Sequence, residues 1–408
     1  MRVLIVSQYF WPENFRINDL ATELARHGHQ ITVLTGLPNY PNGQVFNDYQ
    51  QNPEMFQAFG DVEIVRVPII PRGSGGIRLM LNYMSFALMA CIVGPWKLRR
   101  RDFDVIFVNQ LSPVTVGLPG ALIAKLKRAT MAMWVLDLWP DSLSAIGVVR
   151  SPSLLDWVGK LVALIYRQCD LVLAQSKSFV PEIRKLAPPG LAIEYLPSWA
   201  EDVFQNSDVT HAPEIPRREG CFDVMFAGNV GEAQDFPCIL DAAEILKEHA
   251  HIRWLIVGDG RMRPWVEQEV LRRGLSHRVL LLGRFPVERM PSFYQSADAL
   301  LVTLQDKPIF GMTIPGKLQS YLAAGRPILA ALNGEGADLV KTAGAGYVCS
   351  AGDSRGLADA VFKLSCLSDA ERQLMGMNGR EVSEREFERS VVLDRLEQML
   401  CSINPNAC

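Results

Sequence analysis

Lys317 closes a glycine- and proline-rich turn, residues 311–317 (GMTIPGK), and leads into a helical stretch that stops at Gly325. A helix start offers free backbone N–H groups and the positive end of its dipole, so it attracts phosphate, and a lysine there adds a full charge. Thr313, Ile314, Pro315, Gly316 and Lys317 are therefore candidates to hold a phosphorylated ligand, although a capped structural helix with a solvated lysine fits the same residues. No Walker pattern accompanies the turn, which argues against an ATPase. Residues 228–231 (GNVG) follow a strand where a dinucleotide fold holds its phosphate loop. They are not a GxGxxG, and no acid closes the next strand as NAD recognition requires. Residues 258–261 (GDGR) and 283–285 (GRF) also follow strands and present Arg261, Arg284 and Phe285, either to a diphosphate or simply to solvent.

A second group lies in the first half of the chain. Asp137 and Asp141 flank Trp139 within residues 134–141 (WVLDLWPD), directly after a strand. A sugar can stack on such a ring and hydrogen-bond the acids, which otherwise need pairing or burial. Residues 9–16 (YFWPENFR) follow the first strand and open the first helix, an arrangement that turns Glu13, Asn14 and Arg16 toward the strand ends. Residues 38–41 (PNYP), with Asn39, make a rigid aromatic turn after the second strand.

The elements that must position these loops follow from hydropathy. Apolar runs at residues 2–7, 30–35, 63–67, 105–109, 132–136, 171–175 and 193–196 alternate with amphipathic stretches, the first over 17–27 and stopped by Gly28. Continuous apolar runs separated by helices indicate parallel strands covered on both faces. The pattern lapses over the polar, proline-bearing residues 198–220 and restarts with strands at 223–227, 253–257, 279–282, 299–303 and 327–331 and helices at 238–249 and 317–324. The expected domains are residues 1–197 and 221–382, joined by a linker at 198–220 and followed by a C-terminal helix at 383–408 that packs back on the first domain. Two doubly wound Rossmann-like units in tandem leave a cleft between their sheet ends, and ligands bind beyond the carboxyl ends of such strands.

Bulk properties narrow the classes. A chain of 408 residues, 49% hydrophobic and 21% charged, suits two globular cores. A net charge of -3 argues against a general nucleic-acid binder. Eight cysteines with no CxxC spacing read as free thiols in a reducing compartment and argue against a zinc site. The chain opens directly on a strand with no signal-peptide pattern, so a cytoplasmic protein is expected. Residues 79–96 carry no charge and precede Lys97 and Arg99–Arg101; they read as a buried helix of the first domain, with a spanning helix and a helix lying on a membrane surface as alternatives.

In this order the loops resemble the GT-B glycosyltransferases of family four, a large retaining family, and within it the bacterial branch that adds fucose or N-acetylfucosamine-type sugars to lipid-linked O-antigen, capsule or colanic acid precursors. The stretches that carry the resemblance are residues 9–13, 28–36 with 38–41, 137–141, 228–234, 257–261, 313–317 and 321–328. It implies a GT-B fold and donor binding by the second domain. Where the wider family sets an arginine and a lysine against the diphosphate, this chain has Asn229 and Gln234, near Gly228 and Gly231. Where the family has its two spaced glutamates it has Met312 and Ser320, the second being the ribose position, and Gly258 falls in a further donor turn. The resemblance further implies transfer with retention of configuration, no metal, no cofactor beyond the nucleotide sugar (UDP foremost), and no protein nucleophile. Lys317 and Arg284 would meet the departing diphosphate. Glu13, Asp137 and Asp141 would orient the acceptor or take its proton, with Asn14, Arg16, Asn39 and Trp139 beside it. The acceptor would be a polyprenyl-diphosphate-linked saccharide, reached by peripheral contact with the inner face of the cell membrane. Two other classes stay open on the sequence: a sugar-nucleotide 2-epimerase, and a non-catalytic sugar-nucleotide binder that has lost its acids.

Overall fold

The computed structural model describes the chain except residues 74–75, 146–148, 150, 206–209, 217 and 406–408. It contains two compact units, Met1–Pro197 with Leu393–Cys408, and Ser198–Val392.

The first unit is built on β1 (Arg2–Val6), β2 (Gln30–Thr35), β3 (Ala58–Phe59), β4 (Val62–Arg66), β5 (Val105–Gln110), β6 (Thr130–Val135), β7 (Leu171–Ala174) and β8 (Ala192–Tyr195). They form one sheet in the order β3-β4-β2-β1-β5-β6-β7-β8. Every pairing is parallel except the short β3–β4 hairpin. The apolar runs explain this: Val3, Leu4, Ile5 and Val6 are wholly buried, as a central strand covered on both faces must be. The strand order reverses between β1 and β5, so the loops after these two strands diverge and leave an opening.

The second unit is built on β9 (Phe222–Ala227), β10 (Ile252–Val257), β11 (Val279–Gly283), β12 (Ala299–Thr303), β13 (Ile328–Ala331) and β14 (Gly346–Cys349). Their order, β11-β10-β9-β12-β13-β14, is the doubly wound Rossmann order, all parallel, with its reversal between β9 and β12. β14 is half-buried along its length, which is why its weak apolar run went unread in the sequence.

Three expectations need correction. The described residues within 198–220 are not a free linker. Phe204, Ala212 and Ile215 are buried in the core of the second unit, on the side of the sheet that also holds Leu318 and Tyr321. Apolar residues spaced irregularly through a polar stretch pack without producing a helical or strand period. The C-terminal segment is divided. A π-helical turn, Ser383–Phe387, buries Phe387 in the second unit, and residues from Leu393 onward belong to the first. Finally, among the described residues six cysteines are free, but Cys401 is disulfide-bonded. Scattered cysteines weigh against a framework of bonds and not against a single one.

The last helix, Arg389–Ile403, is tied down by two histidines. Glu397 accepts from His27 Nδ1 at 2.7 Å and from His29 Nε2 at 2.8 Å. The hydrogen bond to Glu397 raises the His27 pKa above 6.5, while Glu397, although burial alone would raise it, is held below 4.5 by the two imidazoles. His27 contributes stability that is complete below pH 6.5 and is lost as pH rises through its raised value. Glu397 contributes stability that is complete above pH 4.5 and is lost as pH falls through its lowered value. Glu397→Gln should therefore cost about 0.5 kcal/mol between these limits and nothing in alkali, read as urea-melt midpoints of both proteins across pH.

Candidate active site

The second unit brings together most of its candidate donor loops. Gly228 and Gly258 end β9 and β10 with φ of 140° and 143°, which L side chains rarely adopt. The turns interlock: Gly228 N–H donates to Val257 O at 2.9 Å and Gly258 N–H to Gly283 O at 2.7 Å. A Cβ on Gly258 would lie 1.8 Å from Gly228 O. The two neighbouring loops are equally close, with Val230 N–H donating to Asp259 O and Met262 N–H to Val230 O. Asn229 wedges between them, so that a Cβ on Gly231 would fall 2.4 Å, and one on Gly260 2.7 Å, from its amide. The strand ends are thus left bare of side chains, as close approach of a phosphate requires.

Lys317 points at this bare turn from the first turn of the helix Gly316–Ala324. Its Nζ donates to Gln234 Oε1 at 2.5 Å and stands 3.7 Å from the centroid of the Phe226 ring. It also stands 3.3 Å from where a Cβ on Gly228 would be. Gln234 is fixed in turn by Thr303 Oγ1, which donates to its carbonyl. Lys317, Gln234, Gly228 and Phe226 therefore converge where the strand order reverses between β9 and β12. The residue is half-buried, with its ammonium held between the Phe226 ring and the Gln234 amide. Burial pushes its pKa down to about 7. A cation so desolvated, with one neutral partner and an aromatic face, is poised to take up an anion.

The remaining donor candidates fare differently. Arg261 and Arg284 stand exposed on the loops after β10 and β11. Phe285 packs on Phe293, 4.5 Å between ring centroids, and belongs to the core. Ile314 is core as well, and Pro315 is buried ahead of the helix. The Thr313 hydroxyl and amide are engaged by Ile309 O and Phe310 O, while the amides of Gly316 and Lys317 open the next helix and are offered to a ligand. Ser320 is 5% exposed and donates to Glu201 Oε2 at 2.7 Å. Its hydroxyl is thus engaged within the protein, and Glu201, which the sequence placed in a linker, is the carboxylate brought to this helix.

In the first unit, Glu13 is a positioning residue. Its buried carboxylate accepts from the backbone N–H groups of Asn39 (2.8 Å), Tyr40 (2.7 Å) and Phe10 (3.3 Å), and so joins the loop after β2 to the loop after β1. Burial raises its pKa and the three amides oppose that rise. With its oxygens so engaged, Glu13 is not placed to accept a substrate proton. Asn39 is fully buried, and its side chain donates to Leu37 O and accepts from Arg72 N–H, so it serves the loops and not an acceptor. Asn14 is exposed, and Arg16 is half-buried at the start of the first helix.

The opening between β1 and β5 is lined by Ser7, Gln8, Tyr9, Phe15, Asn109 and Ser112. Among the described residues, Gln8 Oε1 and Asn109 Oδ1 are buried there without a hydrogen-bond partner, and such atoms ask for water or ligand. Gln8 and Tyr9 both donate to Asn82 Oδ1, from the helix Gly76–Lys97. Around the rim, the Tyr83 phenol has its pKa raised by burial and feels Arg72, Ser112, Asp137 and Tyr40. The Arg72 guanidinium lies 5.2 Å from the centroid of the Tyr40 ring. Arg72, Tyr83, Asn82 and Gln8 were not singled out in the sequence. The one signal available was a polar pair, Ser7-Gln8 and Asn109-Gln110, at the carboxyl end of two otherwise apolar strands.

Asp137 joins this rim, half-buried, with Oδ2 accepting from Trp139 Nε1 at 2.8 Å. Asp141 does not. It starts the short helix Asp141–Ala145, its pKa is raised by burial and then by Glu182, and Lys185 is the neighbouring cation. Asp137 and Asp141 therefore serve different surroundings and are not a carboxylate pair about one ring.

Two tandem doubly wound sheets, one ending in a bare glycine turn faced by a lysine, are the GT-B fold of nucleotide-sugar glycosyltransferases. The chain matches the glycosyl transferase 4-like domain over residues 14–199 and the domain of glycosyl transferases group 1 over residues 221–366, and belongs to the glycosyltransferases that these two domains define. It is 26% identical to the glycosyltransferase WbjE of Pseudomonas aeruginosa, over 69% of this chain and 72% of that protein. It is 25% identical to the glycosyl transferase WcaI of Escherichia coli (strain K12), assigned to colanic acid biosynthesis, over 80% of this chain and 82% of that one. Among solved structures it resembles Anabaena Alr3699/HepE in complex with UDP, with a TM-score of 0.70 at 16% identity over 98% of this chain and all of that one. It also resembles WaaG, a glycosyltransferase of lipopolysaccharide biosynthesis, with a TM-score of 0.65 at 13% identity over 99% of this chain and 100% of that one.

Proposed function

We propose that the protein moves a sugar from a UDP-sugar, with retention of configuration, to a saccharide carried on a polyprenyl diphosphate at the inner face of the cell membrane, in bacterial surface polysaccharide synthesis. An amino-deoxy sugar of the N-acetylfucosamine type is the donor that the sequence resemblance favours. The observation that carries this reading is Lys317, desolvated and aimed at the glycine turn of β9 and β10. UDP complexes of structural neighbours and polysaccharide assignments of sequence relatives support it.

In this mechanism the bond from the anomeric carbon to the diphosphate lengthens first, and negative charge gathers on the departing oxygens. Lys317 and the amides of Gly316 and Lys317 neutralise that charge. The acceptor hydroxyl then bonds the anomeric carbon from the same face, and its proton passes to the departing diphosphate. Asp137, set between Trp139 and the Tyr83 rim, orients the acceptor. Arg72 is the cation of that rim and holds acceptor phosphate. Arg72→Ala should accordingly raise KM for a diphosphate-linked acceptor about tenfold and leave KM for the donor unchanged. Steady-state kinetics with each substrate varied in turn reads this. A rise confined to the donor would overturn the assignment of the first unit to the acceptor. Donor consumption without acceptor distinguishes a transferase from a silent binder, since only the former hydrolyses UDP-sugar slowly.

A further inference from the structure

The helix Gly76–Lys97 is apolar on two faces, and the domain covers only one of them. Its inner stripe, Asn82, Phe86, Ala87, Ala90 and Gly94, is buried. Its outer stripe is exposed: Ile77, Leu81, Met84, Leu88, Ile92 and Trp96, at spacings of three and four, are each 44% or more accessible. A helix apolar all round belongs between two apolar surroundings. The helix is not free to cross a bilayer, although at 22 residues, with an 18-residue window of mean hydropathy 1.6, it is long enough. Asn82 holds it to Gln8, Tyr9 and the Ile70 carbonyl, and Gly94 lies flush on Leu34.

The exposed surface continues beyond this helix. The helix Gly117–Lys127 packs beside it and exposes Leu122 and Leu126, and the helix Pro152–Tyr166 packs next and exposes Leu154, Trp157 and Leu164. Three adjacent helices thus each expose apolar side chains, and exposed apolar surface shared by neighbouring elements marks an interaction site. The charge around the first two of these helices is one-sided. Between Arg66 and Leu136 the sequence has ten Lys and Arg but only Asp102 and Asp104 as acids, in a chain of net charge -3. Lys97, Arg99 and Arg100 leave the end of the first helix exposed, as do Lys125 and Arg128 at the end of the second.

We propose that this three-helix face is the membrane-docking surface of the protein. It lies in the plane of an anionic phospholipid leaflet, with the outer stripes and the two tryptophans, Trp96 and Trp157, in the headgroup boundary and the lysines and arginines on the phosphates. The inference deepens the reading of a lipid-borne acceptor and rests on it for its purpose, but the docking itself needs no catalysis. It also fixes geometry within the first unit: Asn82, on the inner face of the same helix, bonds the Gln8 and Tyr9 of the opening between β1 and β5.

Flotation of the full-length protein with vesicles of phosphatidylcholine plus phosphatidylglycerol, against phosphatidylcholine alone, tests this. The wild type should float with the anionic vesicles, less as salt is raised. Leu88→Glu combined with Ile92→Glu should cut the bound fraction about tenfold, and Trp157→Glu, on a separate helix, should weaken it as well. Thermal melts and turnover of a water-soluble acceptor should be those of the wild type. Failure of the wild type to float with either vesicle overturns the inference. So does a wild-type dimer in light scattering that Leu88→Glu disperses, because the face would then be covered by a second copy. Vesicle binding without turnover of any acceptor would instead overturn the proposed transfer and leave the docking surface standing.

Discussion

Lys317→Met should lower kcat by about a thousandfold while the protein melts no lower than the wild type. The rate effect follows from position: the ammonium faces the glycine turn where a departing diphosphate gathers charge, and losing one preorganised partner of that charge typically costs 10²–10³ in rate. The stability effect follows from burial. Folding drives the Lys317 pKa down to about 7, so at neutral pH and below the charged lysine opposes folding, and an apolar side chain of similar length removes that opposition. A variant that melts higher and turns over a thousandfold more slowly separates chemistry from scaffolding. Unchanged turnover would remove Lys317 from the reaction.

Gly258→Ala should do the reverse and damage the scaffold. The residue sits at φ 143°, and its new methyl would press within 1.8 Å of the Gly228 carbonyl, a backbone atom that cannot rotate away. Strained backbone and a clash between strand ends together amount to about 3 kcal/mol, which for a unit of this size lowers Tm on the order of 10 °C. UDP binding should fall with it, because β9 and β10 must separate to admit the methyl and the phosphate turn lies between them. Differential scanning calorimetry, with and without UDP, checks both effects. Gly274→Ala is the control, since it also has positive φ but open space around it.

How much of this was legible in the sequence depended on how local each feature is. β1 and β9 declare themselves through unbroken apolar runs, because both faces of a central parallel strand are covered. Lys317 was legible because a turn, a helix start and a lysine are contiguous. The hydrogen bonds that engage Glu13 and Ser320 were not legible, for the opposite reason. The groups that engage them, the amides of Asn39 and Tyr40 and the carboxylate of Glu201, come from distant segments that only the fold brings near. Arg72 and Asn82 were invisible because the connection from β4 to β5 crosses the sheet and delivers them to the ends of strands they do not follow. The helix Gly76–Lys97 was read as buried from a composition that marks two apolar faces without saying how many the domain covers.

Calorimetric titration of UDP between pH 7.5 and 9 tests the central claim, that a desolvated lysine forms the diphosphate site. In that range the terminal phosphate is fully ionised, so Lys317 is the group left to titrate. Binding should take up close to one proton, and affinity should fall by up to about tenfold per pH unit, with both effects absent in Lys317→Met. Proton-neutral, pH-independent UDP binding in the wild type, or the same affinity in Lys317→Met, would contradict it.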